Sequence, residues 1–338
     1  ADRLSAFPTK RDDRSTLYLF EAATGYHAFM DTLGFDARHT SGVFFSIGGE
    51  TGLATFVSGQ PRQRMLGTLR HEGFHQFVHA RIGPNLPIWV NEGLAEYFGN
   101  GAVVNGRLRV GFAPSAPLAR VRRAVDNAFS YSFGEMLSMT TRQWGRYVQR
   151  GGPDAGLLYD QAWLMTHFLV HADGGRYTDA FERYLKLVAS GKDSLASFET
   201  AFGTDDPDEF ERAWVRWLRA VEPDPISTSA ERVGFMMRGI RFLHERGNTV
   251  DSVAELRREL RRRAFAIHTR SHGVERVTSS LDDSNFAAPS GTRGRVRIVP
   301  AADGRSIPTV RVIGLELDVF GAWTRGPRGN TRVEIVYR

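Results

Sequence analysis

Residues 71–75 read His-Glu-Gly-Phe-His, two histidines four positions apart with a glutamate directly after the first. On a helix, positions i and i+4 lie one above the other on one face. Both imidazoles can therefore face one metal ion, and Glu72 stands where it can reach a water on that ion. Downstream come Trp89, the run Asn91-Glu92-Gly93, and Glu96. If Glu92 supplies a third ligand, the set is two histidines and one carboxylate with a fourth position open. That is the composition of a catalytic zinc site rather than a closed structural one.

An H-E-x-x-H also arises in ordinary amphipathic helices, so its surroundings decide. Met65, Leu66, Leu69, Phe77 and Val78 recur at near-helical spacing, which puts the motif inside a buried helix. Gly83 and Pro84 stop that helix. A second helix beginning near Ile88 carries Glu92 and Glu96 at i and i+4 on one face. Two short helices joined by a turn can bring Glu92 opposite the histidine pair.

This stretch resembles the gluzincin metallopeptidases of the peptidase MA clan, in which H-E-x-x-H is followed, after a gap, by a Glu in a second helix, often as N-E-G-x-A. Here 16 residues separate His75 from Glu92. The resemblance implies His71, His75 and Glu92 as ligands of Zn2+ and Glu72 as general base. It implies Glu96 as a carboxylate that hydrogen-bonds a ligand histidine, the alternative being a solvated helix carboxylate. It also implies that Tyr159, which opens Tyr159-Asp160-Gln161-Ala162, donates to the developing oxyanion; the alternative is a core tyrosine with a satisfied hydroxyl. His167 and His171 on the same helix read as core or surface histidines.

The elements that must position these residues follow from the patterning. Residues 16–20 read as a strand, 24–33 as a helix, and 42–47 and 53–58 as two more strands around a Gly48-Gly49-Glu50 turn. In gluzincins the edge strand beside the zinc binds the extended substrate backbone, and the resemblance assigns that role to Leu53–Ser58, which could equally be an ordinary inner or edge strand. The G-x-M-E-N of the clan's aminopeptidases is absent, and Glu50 in Gly49-Glu50-Thr51-Gly52 is the residue that could replace its amine-gripping Glu. Asn105-Gly106 between short apolar runs marks a hairpin. Helices are expected at 118–128, 133–137, 156–170, 177–189, 195–202 and 207–221.

Glu222-Pro223-Asp224-Pro225 reads as a linker. Beyond it, 231–246 and 253–265 read as helices, and 295–299, 310–320 and 332–337 alternate like antiparallel strands. The expected fold class is α+β. A zincin-like metallopeptidase domain over 1–225, with a small mixed sheet, active-site helices and a helical lobe, precedes a smaller α+β or β-rich module over 226–338.

The bulk numbers bound the function. A 338-residue chain with 41% hydrophobic residues can bury substantial cores, and the absence of cysteine excludes disulfides and thiolate zinc sites. No apolar run approaches the roughly 20 residues of a membrane span. The net charge of +6 is concentrated beyond residue 225, where 20 Arg face 12 Asp and Glu. The dense arginines of Leu256–Arg263 could bind nucleic acid, acidic polymer or anionic lipid, but the helix reads as a solvated face with Glu255 and Glu259 among them, so no nucleic-acid partner is expected. The chain begins with Ala1 rather than Met, in keeping with a processed or trimmed chain, and the resemblance points to an exported (periplasmic or extracellular) bacterial protein. The resulting expectation is a zinc-dependent peptidase acting on a peptide or protein substrate; the alternative is an inactive binding or scaffold protein on the same fold.

Overall fold

The computed structural model describes residues 15–338 apart from 39, 59, 61, 205, 272–273, 304–305, 327–328 and 330. Ala1 lies outside the described residues. The fold is mixed α+β, as the patterning indicates. Strand β1 (Thr16–Phe20) leads through helix α1 (Ala23–Thr32) to the hairpin of β2 (Gly42–Ile47) and β3 (Glu50–Phe56). Gly48 and Gly49 turn that hairpin at φ 61° and 90°, where a residue with a β-carbon is strained. The sheet order is β1-β3-β2, with β1 parallel and β2 antiparallel to β3. Tyr26 and Met30 of α1 close its core against Phe45 and Ala54.

This order corrects one expectation. The strand containing Leu53 is the central one and cannot serve as an open edge; β2 takes the edge position. The cause is the crossover through α1, which lays β1 along the far side of β3.

Helix α2 (Arg62–Phe77) runs into a wider π turn over Val78–Ile82 and ends at Gly83, φ 106°. Helix α3 (Ile88–Gly99) follows, then the hairpin of β4 (Ala102–Val104) and β5 (Arg107–Arg109). A helical lobe comes next: α4 (Ser115–Asp126), α5 (Phe133–Ser138), α6 (Thr141–Arg150), α7 (Pro153–His171), α8 (Thr178–Ala189), α9 (Ser194–Phe202) and α10 (Pro207–Ala220). Helix α7 is its axis, buried nearly all round from Ala155 to Leu169, as expected of a helix that is apolar on every face. Helix α6 is not among the expected elements. Its signals are a Thr140/Gln143 capping box and the stripe Trp144, Tyr147, Val148.

The chain then enters α11 (Pro225–His244) and α12 (Val253–Arg262), a hairpin of β6 (Ala266–Ser271) and β7 (Val274–Ser279), and strands β8 (Arg295–Val299), β9 (Thr309–Ile313), β10 (Val319–Arg325) and β11 (Thr331–Tyr337). The last four form an antiparallel sheet in the order β11-β10-β9-β8. The run 310–320 is thus two strands, broken where Gly314 turns at φ 85°. The β6–β7 hairpin was not anticipated; its half-exposed alternation, with Val277 53% exposed, leaves little amphipathic signal. Helix α11 packs across this sheet, and Gly321 lets it approach, since a β-carbon there would lie 2.5 Å from Met237 Cγ. Ala102 and Val104 of the β4–β5 hairpin join the same core. Arg62 pairs with Glu334 at 2.6 Å, and Gln63 Nε2 donates to the Ile335 carbonyl at 2.8 Å, fixing the start of α2 against β11.

The arginine-rich helix is ion-paired at its surface. Arg261 meets Asp283 at 2.5 Å, Arg262 meets Glu259 at 2.7 Å, and Arg263 meets Glu259 as well. Among the described residues no helix is long and apolar enough to cross a membrane.

Candidate metal centre

Helices α2 and α3 lie antiparallel. Gly67 approaches Gly99, His71 meets Glu96, and His75 meets Asn91, so positions rising along one helix meet positions falling along the other. Glycine permits this spacing: a β-carbon on Gly67 would sit 3.2 Å from the Gly99 carbonyl. Arg70 locks the pair by donating to the Phe98 and Gly99 carbonyls at 3.3 and 2.9 Å. On the other side, Gly93 lets α3 sink against α7, since a β-carbon there would lie 2.5 Å from both the Ala162 carbonyl and Thr166 Oγ1. Glu92 is thereby pressed toward α2.

His71 and His75 are one turn apart on α2, with ring planes at 83° and centroids 4.8 Å apart. Their Nε2 atoms are 3.1 Å apart, and Glu92 Oε2 lies 3.4 Å from His71 Nε2 and 3.6 Å from His75 Nε2. Ligand atoms about 2.0–2.1 Å from a tetrahedral zinc stand roughly 3.3–3.4 Å from one another. The three observed separations bracket that edge length. Glu92 Oε2 is also buried without a hydrogen-bond donor among the described residues. A buried carboxylate oxygen left that way is costly, and a cation at the centre of the triangle removes the cost. His71, His75 and Glu92 can therefore hold a metal ion.

The far sides of the rings are also held. His71 Nδ1 is 3.1 Å from Glu96 Oε1, and His75 Nδ1 is 3.1 Å from Asn91 Oδ1. With acceptors at both Nδ1 atoms, both Nε2 lone pairs turn to the centre. Electrostatics agree. Burial opposes charge on His71, but the carboxylates of Glu92 and Glu96 beside it hold its pKa well above the usual imidazole value. Burial likewise opposes charge on Glu92, but the two imidazoles bring its pKa down to about 2. The cluster favours positive charge at its middle.

Glu72 is buried at 8% exposure, and its Oε2 accepts the Phe44 N–H of the edge strand at 2.8 Å. Gly42 makes this approach possible, because a β-carbon there would lie 2.4 Å from Thr68 Cγ2 and 3.3 Å from Glu72 Cγ. Tyr159 on α7 stands with its ring centroid 6.5 Å from that of His71 and edge-on to Trp144 at 5.2 Å. Burial, and then the negative charge of Glu92, push its phenol pKa well up, so it is neutral. His71, Glu72, Glu96 and Tyr159 line one cleft of about 460 Å³, bounded by Gly42 of β2 and by Val148 of α6.

The structure thus brings His71, Glu72, His75, Glu92, Glu96 and Tyr159 together. Glu50 is exposed at the β2–β3 turn and does not line the cleft, so it does not replace the missing amine-binding Glu. His167 is a core residue, with Nε2 3.0 Å from the Gly111 carbonyl. Sequence reasoning gave no role to Asn91, Trp144 or the Phe44 N–H. Asn91 stands next to Glu92 in the chain and could have been read from that position. A backbone donor 28 residues from Glu72 carries no side-chain signal.

Residues 65–196 match the model of a family described as a protein of unknown function (DUF1570). That segment contains both site motifs and α7. No curated protein matches the chain, and no solved structure does.

Proposed function

We propose that the chain is a zinc-dependent peptidase, with His71, His75 and Glu92 as ligands. The observation that carries this reading is the triangle of two Nε2 atoms and a buried Glu92 Oε2, without a donor among the described residues, at tetrahedral spacing, with Glu72 lining the same cleft as His71. Zinc held there supplies Lewis acidity toward a water and a scissile carbonyl.

The chain's own groups do the rest. Glu72, its Oε2 fixed by the Phe44 N–H, takes the proton of the attacking water and delivers it to the departing amine nitrogen. The neutral Tyr159 hydroxyl donates to the carbonyl oxygen as negative charge develops there. Glu96 and Asn91 position the two imidazoles. The substrate-strand role falls to β2, the edge of the sheet that borders the cleft at Gly42.

The test is Glu72→Gln, assayed on a mixed peptide library by mass spectrometry. The variant is expected to keep its metal and lose at least about 10²-fold in cleavage rate, the range of a general base. Undiminished cleavage by the variant would remove Glu72 from its role. A zinc-loaded wild type that cleaves no peptide would favour a binding protein on a peptidase scaffold.

A further inference from the structure

A second and larger cavity, about 1800 Å³, opens between the helical lobe and the C-terminal module. It shares a wall with the metal cleft, because Gln63 and Arg64 line both. Arg64 lies two turns before His71 on α2. Opposite it, Arg238 and Arg241 occupy adjacent turns of α11 and line the same groove. Nothing in the sequence pattern assigns these three arginines a role.

Their partners differ. Arg241 donates to the Thr331 carbonyl at 2.8 Å and lies 3.5 Å from Glu245. Arg238 has no hydrogen-bond or ion-pair partner among the described residues. Burial first, then repulsion from Arg241 and Arg64, pushes its pKa down. The carboxylates of the groove are engaged elsewhere. Asp224 caps α11 by accepting the Ser227 N–H at 2.7 Å, and Glu231 binds Arg276 at 3.1 Å and Ser115 at 2.9 Å. Asp282 accepts the Ser284 N–H at 2.9 Å, and Glu222 is exposed. A half-buried charge that has other arginines near it and no partner among the described residues is costly unless a ligand completes it.

We propose that Arg238, with Arg64 and Arg241, binds an oxyanion, a carboxylate or phosphate group, in this groove. A guanidinium presents a planar fork that meets either group through two parallel hydrogen bonds. Since Arg64 borders both cavities, the anion belongs to the substrate of the metal cleft, which is therefore an acidic chain. That last step rests on the peptidase reading; the oxyanion site itself does not.

The experiment is calorimetric titration of the full chain with inorganic phosphate and, separately, with succinate, at fixed ionic strength. Arg238→Met keeps the aliphatic stem and removes the charge. Its affinity is expected to fall at least tenfold, and that of His71→Ala to stay at the wild-type value. Melting supplies an independent readout. Arg238→Met should melt above wild type without anion, because the unpaired charge is gone, and phosphate should raise the melting temperature of wild type alone. Preference for phosphate or for succinate identifies the group. Should Arg238→Met not fold, Arg64→Gln carries the same titration with the same expected loss. Absent binding in wild type, equal binding in Arg238→Met, or loss of binding in His71→Ala would each overturn the site, the last by placing the anion at the metal centre.

Discussion

What distinguishes His71 and His75 from any pair of helical histidines is what their other nitrogens touch. Glu96 holds His71 Nδ1 and Asn91 holds His75 Nδ1, each at 3.1 Å. Such outer partners fix ring orientation and tautomer and raise ligand basicity, and losing one typically weakens metal affinity by about 10–100-fold. Glu96→Ala is therefore expected to bind zinc more weakly by that range while its far-ultraviolet dichroism is unchanged, measured by competition against a chromophoric chelator. Affinity equal to wild type would make Glu96 an ordinary helix carboxylate. At this scale much of the site was legible, because ligand chemistry needs His and Glu at helical spacing and the sequence displays both. The Phe44 N–H that holds Glu72 was not, since any residue type carries a backbone donor and only the β2 register aims this one.

At the scale of elements, the site depends on how closely three helices approach. Gly93 is the tightest point, where a β-carbon would meet the Ala162 carbonyl and Thr166 Oγ1 at 2.5 Å. Neither can yield easily, as one is backbone and the other is buried in α7. Gly93→Ala is expected to destabilise the protein by about 1–3 kcal/mol through overpacking, read by chemical denaturation. It should weaken metal binding too, because Glu92 precedes Gly93 and moves with α3. Wild-type values for both would contradict the assigned packing. The Asn91-Glu92-Gly93 run was readable as a motif, but the need for its glycine was not, because the crowding group lies on α7. Helix α6 escaped for a related reason: its solvent face is polar, and its apolar stripe is short. The chain at 310–320 looked continuous because Gly314 and the turn after it interrupt an otherwise apolar run.

For the whole molecule, stability carries a pH edge set away from the candidate metal site. His167 sits inside the helical lobe with its Nε2–H on the Gly111 carbonyl and its Nδ1 buried without a partner among the described residues. A second proton would have no acceptor. Burial first, then the neighbouring His171, brings the His167 pKa down from 6.5 to about 4. The folded pKa lies below the unfolded one, so the unfolded chain takes up more protons as the pH drops. The contribution is complete above about 6.5 and is lost as the pH falls toward 4, amounting at most to roughly 3 kcal/mol at about 1.4 kcal/mol per unit. The melting temperature is thus expected to fall between pH 7 and pH 5, and to fall less in His167→Gln, whose amide can keep the bond to Gly111. Equal falls in both would assign the pH edge to other groups. The α+β architecture was legible from patterning, as was the strand–helix–strand–strand order at the N-terminal end, while the C-terminal strands were legible only in part. The seating of the C-terminal module was not. It depends on Arg62, Gln63, Ala102 and Val104, residues of ordinary type whose partners are far away in sequence.

The central claim is a metal held by His71, His75 and Glu92, and the direct measurement is metal content by plasma mass spectrometry. Wild type, purified without chelator, is compared with His71→Ala and Glu92→Ala, each checked for folding by circular dichroism. One zinc per wild-type chain, lost in both folded variants, is the predicted result. A wild type that holds no metal and takes up none when zinc is added would contradict it.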